Sequence, residues 1–193
     1  MFTVISPDQY KQIPWKNGKG ITTELAISEN GTLDNFDWRL SIASVVENGD
    51  FSDFSGYWRN LVLISGNGIT LKHSKDSNVQ IDKLTQQLQI SSFDGASKTY
   101  GGLCDGKIED FNVITKIGSY HAKVRTYTSE KSFTINACEL CFIYPLESTA
   151  FISTTDQIFN HALPAKHLLK ITSPKASNIN ILASNIIVVE LFV

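Results

Sequence analysis

The sequence predicts an all-β protein, a sandwich or small barrels, and three observations predict it. Short segments with strand patterning follow one another along the chain, turn-forming pairs punctuate the gaps, and helical periodicity is scarce. A length of 193 residues buries a real core and fits one compact domain or two small β halves.

Taken in order, strands are expected at 21–28, 38–46, 60–65, 69–73, 87–91, 111–117, 121–128, 132–136, 139–144, 149–153, 166–172, 178–183 and 186–193. Turn signals separate them: Asn30-Gly31, Asn48-Gly49, Ser65-Gly66-Asn67-Gly68, Asp94-Gly95, Asp105-Gly106 and Ser173-Pro174. One helical turn is expected over 6–12 with Pro7 at its first position, and another over 81–87. The Gly-, Asp- and Ser-rich stretch 93–110 is read as a crossover joining halves at 14–92 and 111–193.

A net charge of -2 with no Lys or Arg run argues against a nucleic-acid surface. The first residues lack the pattern of a secretory signal, and no apolar run reaches membrane-spanning length, so a cytoplasmic protein with no membrane partner is expected. Cys104, Cys138 and Cys141 are read as reduced thiols. Cys138-Glu-Leu-Cys141 has redox-motif spacing, but strand alternation would send its two side chains to opposite faces, as core thiols.

The functional groups concentrate in Pro14-Trp-Lys-Asn-Gly-Lys-Gly-Ile-Thr-Thr-Glu24, a polar loop feeding a strand. Period-two alternation puts Leu25 and Ile27 on one face and Thr22 and Glu24 on the other; Trp38, Leu40 and Ile42 oppose Arg39, Ser41 and Ala43. Pairing the apolar faces across a turn near Gly31 and Thr32 sets Glu24 opposite Arg39. This is either a surface ion pair or part of the polar lining of a barrel. The segment 48–59 brings Phe51 and Phe54 as plugs for a barrel mouth and Arg59 as a fixed cation, whose planar fork suits a carboxylate; a loop stapled by aromatics is the alternative.

His73, His121, His161 and His167 show no metal-ligand spacing, so neither a catalytic metal nor a cofactor is expected. No nucleophile elbow is present, and Gly18-Lys19-Gly20 lacks the strand and helix of a phosphate loop.

Several motifs in order resemble the HutD/Ves family: Trp15-Lys-Asn-Gly-x-Gly-x-Thr-x-Glu24, Trp38-Arg-Leu-Ser-x-Ala43, Gly49-x-Phe-Ser-x-Phe-x-Gly56 with Arg59, Gly66-x-Gly68, Phe93-Asp-Gly95 and Asp110-Phe-Asn112. The resemblance implies a bicupin of the cupin superfamily, two small antiparallel β-barrel or jelly-roll halves packed together in one bacterial cytoplasmic chain. It implies a pocket drawn from Trp15, Asn17, Thr22, Glu24, Arg39, Ser41, Phe51, Arg59, Asp110 and Asn112. It also implies a role in histidine utilisation, through an anion such as urocanate or formylglutamate, or in stress response. Lys19, Trp58 and Val113-Ile-Thr-Lys116 depart from the family pattern and leave the ligand open. The leading expectation is a metal-independent binder of a small carboxylate with a sensor or regulatory role, as monomer or homodimer. The alternatives are a cupin-type isomerase or oxygenase with Glu24 as base, and a non-catalytic interaction module.

Overall fold

Period-two patterning becomes extended backbone almost throughout the computed structural model of the chain, which describes residues 1–15, 20–156, 158–174 and 178–193. Strand β1 (Phe2–Ile5) precedes a single 3-10 turn at Pro7–Gln9. Pro7 opens that turn, and the Gln9 side chain accepts from the Ser6 N–H at 2.9 Å. There follow β2 (Lys11–Pro14), β3 (Gly20–Ile27), β4 (Trp38–Val45), β5 (Gly49–Asp50), β6 (Tyr57–Ser65), β7 (Ile69–Lys75), β8 (Asn78–Leu84), β9 (Ile90–Asp94), β10 (Lys98–Leu103) and β11 (Ile108–Lys116). The remainder comprises β12 (His121–Tyr127), β13 (Lys131–Thr134), β14 (Leu140–Pro145), β15 (Ala150–Thr154), β16 (Asn160–Leu163), β17 (Leu168–Thr172), β18 (Ile179–Ala183) and β19 (Ile186–Phe192).

The strands form two units, each of two antiparallel sheets, which is the bicupin arrangement. The N-terminal unit, Lys11–Tyr120, has a six-stranded sheet in the order β2-β3-β4-β11-β6-β9 and a four-stranded sheet β5-β10-β7-β8. The C-terminal unit, His121–Val193 with Met1–Tyr10, has a five-stranded sheet β1-β17-β14-β19-β12 and a four-stranded sheet β13-β18-β15-β16. Each has its own core. In the N-terminal unit Leu61, Leu63, Ile69, Leu71 and Ile108 interdigitate; in the C-terminal unit Cys141, Ile143, Ile152, Leu169, Ile181 and Val188 do so.

Three expectations differ from the structure. The stretch 93–110 is not a free crossover: it carries β10, paired to β7 and β5, and the start of β11, paired to β4 and β6, so it lies within the N-terminal unit. Within it Gly101 is a strand residue whose missing side chain makes room for the Phe51 ring, 2.6 Å from where a Cβ would stand. Residues 81–87 form no helix. A turn at Asp76, with φ of 52°, folds β8 back on β7, and backbone pairing from Ile69↔Leu84 to Lys75↔Asn78 fixes it as a strand. Cys138 and Cys141 do not share a strand, because the chain bends at Glu139 before β14 begins.

The turn at 65–68 forms as its sequence requires. Gly66 has φ of 94°, and a Cβ there would lie 2.5 Å from the Lys107 carbonyl oxygen. Leu61→Ala, at a fully buried position, is expected to cost about 2–5 kcal/mol in denaturant unfolding. Val79→Ala on the exposed strand β8 should cost less than about 0.5 kcal/mol.

Candidate functional site

Strand register brings the polar residues of the N-terminal unit into rows on the inner face of its six-stranded sheet. Arg39 and Arg59 both pair with Ile114 of β11, one from each side, and Phe93 of β9 continues that row beyond Arg59. The next row runs Glu24, Ser41, Asn112, Leu61 and Ser91; the one after holds Thr22, Ala43, Asp110 and Leu63. On the opposite face of the same strands Leu40, Val62, Phe111 and Val113 are also buried. With both faces enclosed, the polar side of these strands is interior and not a solvated surface.

Glu24 and Arg39 meet, but not as directly opposed partners. A bulge between Glu24 and Ala26 shifts the register, so Glu24 faces Ser41 and Ile27 faces Arg39. The guanidinium leans back one row, and Arg39 Nε donates to Glu24 Oε2 at 2.8 Å with both side chains buried. Leu25, next to Glu24, is buried as well.

Arg59 is enclosed differently. Its Nη2 donates to Asn112 Oδ1 at 2.9 Å, and Asn112 Nδ2 in turn donates to Asp110 Oδ1, so an amide relays between the cation and the acid. Nη1 reaches the Ser52 carbonyl at 3.4 Å. Phe51, Phe54 and Phe93 present their rings at 5.5, 5.1 and 5.1 Å from the guanidinium carbon. Within this cluster Arg59 Nε and Asp110 Oδ2 are buried without a hydrogen-bond partner, as are Asn60 Nδ2, Thr115 Oγ1, Arg125 Nε and His161 Nε2 elsewhere among the described residues. Burial lowers Arg59 to about 10, opposed by Asp110 and reinforced by Arg39, so it remains a cation at neutral pH. Burial raises the Asp110 carboxyl to about 7, against the opposing pull of Arg59 and Asn112.

The other predicted residues fall around this centre. Trp15 donates from its indole N–H to Thr22 Oγ1 at 2.8 Å and packs against the apolar core of the same unit. Ser41 is buried beside Glu24 and Asn112. Asn17 lies outside the described residues. The site is packed shut, with Arg59 only 4% exposed. Open grooves of about 490 Å³ beside Asp82 and Ser92, and about 160 Å³ beside Thr23 and Ser44, lie elsewhere on the unit.

One cluster escaped the sequence reading. His73 stacks on Phe93 with ring centroids 4.1 Å apart, its Nδ1 lies 2.9 Å from Thr99 Oγ1, and its Nε2 lies 3.2 Å from Ser91 Oγ and 3.5 Å from Asp82 Oδ2. Burial pushes this imidazole below its ordinary value, against Asp82. Shared parity with Ile69 and Leu71 on β7 was the available signal, since it sends His73 inward with the core. Among the described residues, no group of three or more His, Cys, Asp or Glu side chains is placed to hold a metal ion.

Comparison with known proteins bears on the family and the fold. The chain is 34% identical over 124 residues to an uncharacterised 21.2 kDa protein in the hutC 3' region of Pseudomonas putida, covering 64% of this chain and 63% of that one. It is 38% identical over 121 residues to Protein Ves of Escherichia fergusonii, 62% of this chain and 60% of that one; the match thus spans less than two thirds of these relatives. A conserved protein of unknown function from Pseudomonas aeruginosa PAO1 superposes with a TM-score of 0.86 at 29% identity over 100% of both chains. HutD from Pseudomonas fluorescens SBW25 does so with 0.83 at 27% identity, over 100% of this chain and 98% of that one. An oxalate decarboxylase from Lactobacillus farciminis shares the fold alone, with a TM-score of 0.63 at 10% identity over 98% of this chain and 85% of that one. A family model described as HutD matches residues 7–189, and the chain belongs to the HutD family.

Proposed function

We propose that the N-terminal unit binds a small carboxylate metabolite, with Arg59 as its clamp, and that binding serves a sensing or regulatory role. The observation that carries this reading is the charge state of the row. Two buried guanidinium groups share it, Glu24 answers Arg39, and the acid nearest Arg59 is pushed to about 7, so the site holds excess positive charge as Asp110 protonates. The unpartnered Arg59 Nε is a donor that an entering carboxylate oxygen would satisfy, and Asp110 in its protonated form would offer a second donor from Oδ2. Phe51 and Phe54 exclude water from the guanidinium, so a ligand enters as those rings part.

The metabolite belongs to the size class of urocanate or formylglutamate, and the role to histidine utilisation or to stress response, in a cytoplasmic monomer or homodimer. This reading requires no metal. An enzyme with Glu24 as base has less support, because Oε2 of that carboxylate already accepts from Arg39.

Calorimetric titration with formate, urocanate and formylglutamate at pH 6 should give saturable heat for at least one of them. Arg59→Ala should weaken that affinity by about tenfold or more, and Arg59→Lys, which keeps charge but loses the fork, by an intermediate factor. Affinity should fall between pH 6 and pH 8 as Asp110 ionises, and Asp110→Asn should abolish that fall. Absence of heat with all three acids, or an unchanged affinity in Arg59→Ala, contradicts the proposal.

Stability should follow the same proton. The folded protein holds the Asp110 proton more tightly than the unfolded chain, whose carboxyl titrates at its ordinary 3.8. This contribution is therefore complete below about pH 4 and lost as pH rises through about 7. Without ligand, Asp110→Asn should lose less stability than the unmodified protein between pH 5 and pH 8, by about 2–4 kcal/mol in the unfolding free energy from denaturant titrations across that range.

A further inference from the structure

We infer that β8 is the edge through which this chain forms a homodimer. In that dimer β8 of a second copy pairs antiparallel with it about a two-fold axis at Ile81, joining two four-stranded sheets β5-β10-β7-β8 into one continuous sheet. β8 ends its sheet, with β7 on one side and, among the described residues, no strand on the other. Such an edge presents backbone N–H and C=O groups to any chain that can lie beside it.

Edge strands that stay single are normally blunted by short length, a bulge, proline or charge. β8 is seven residues long, holds no proline, and pairs with β7 from Ile69↔Leu84 to Lys75↔Asn78 without a shift in register. Val79 and Ile81 stand on its outer face at 57% and 58% exposure. The open groove of about 490 Å³ runs along five consecutive residues of the strand, Gln80 to Leu84, and gives a second strand access to that edge.

The occupant follows from the register. A two-fold axis normal to the sheet keeps every side chain on its own face, and pairing the whole of β8 with the whole of a second β8 puts Ile81 on the axis. Val79 then lies opposite Lys83 of the second copy, Gln80 opposite Asp82 and Asn78 opposite Leu84. No like charges are opposed. Ile81 meets itself across the axis as a β-branched pair, and the Gln80 amide meets the Asp82 carboxylate on both sides of it. Within one chain that amide already donates to Asp82 Oδ1 and Oδ2 at 3.0 and 3.1 Å, so the same donor and acceptor match recurs between copies. The other seven-residue edge strand, β12, lacks this property: its full-length register opposes Lys123 to Arg125 on both sides of the axis. β8 is therefore the long edge whose charges fit a second copy of itself.

Sedimentation velocity of the full chain over a dilution series tests this, with a dimer that dissociates on dilution as the expected result. Ile81→Lys, at an exposed position, sets two ammonium groups on the axis and should leave only monomer, with circular dichroism confirming the fold. Leu182→Lys, at an exposed position of the C-terminal unit, should leave the dimer intact. The register is read separately in chains carrying Cys104→Ser, which removes the exposed thiol. Under mild oxidation Ile81→Cys should crosslink two copies. Val79→Cys should not, because residue 79 and its copy stand about 13 Å apart along the strands, beyond the reach of a disulfide. A chain that is monomeric at every concentration, a dimer that survives Ile81→Lys or is lost with Leu182→Lys, or crosslinking at Val79 in place of Ile81 overturns the inference.

Discussion

Arg39 and Arg59 stand on either side of Ile114, two strand spacings apart, on the inner face of one sheet. At about 10 Å, like charges repel by roughly 1–2 kcal/mol when the effective dielectric is about 20, and each guanidinium also gives up hydration on burial. Every other feature of the site answers to that arrangement. Glu24 neutralises one arginine through a direct pair, while the other is spread over three aromatic faces and an amide relay to Asp110. The asymmetry matters more than the number of charges: Arg39 meets its carboxylate directly, and Arg59 meets its acid only through Asn112.

Local backbone devices set this up. The bulge after Glu24 sets that carboxylate opposite Ser41 and Ile27 opposite Arg39, so β3 gives a polar wall to the arginine row. Gly101 lets Phe51 lie flat against β10, which brings the ring close enough to face Arg59. The relay through Asn112 fixes the amide orientation, with its oxygen toward the cation and its nitrogen toward the acid. Each device costs regularity in the sheet and yields one oriented polar group.

Much of this was legible in the sequence, and the failures have physical causes. Parity put Thr22, Glu24, Arg39 and Ser41 on one face, and the structure has them there. The exact pairing of Glu24 with Arg39 was misplaced because the hairpin turns later than Gly31 and Thr32, so Ile27 pairs with Arg39, and the bulge after Glu24 leaves that carboxylate opposite Ser41. The strands β8 and β10 were missed because β8 is an exposed edge with Val79 and Ile81 toward solvent and β10 contains two glycines. Neither shows apolar alternation, since their pairing is made by the backbone. His73 was dismissed for lack of metal spacing, although its parity with Leu71 already sent it inward. For Cys138 and Cys141, alternation was applied across a bend held by hydrogen bonds to Leu191 and Ser173, partners remote in sequence that no local pattern shows.

The central claim is that Arg59 is a buried cation with an unpartnered Nε, waiting for an anion. A crystal structure of the protein grown with formate at pH 6 tests it most directly. The account predicts a formate oxygen about 3 Å from Arg59 Nε, beside the Asp110 carboxyl, with Phe51 or Phe54 displaced. Formate bound only at the surface, with the three rings still closed over an unchanged guanidinium, would contradict it.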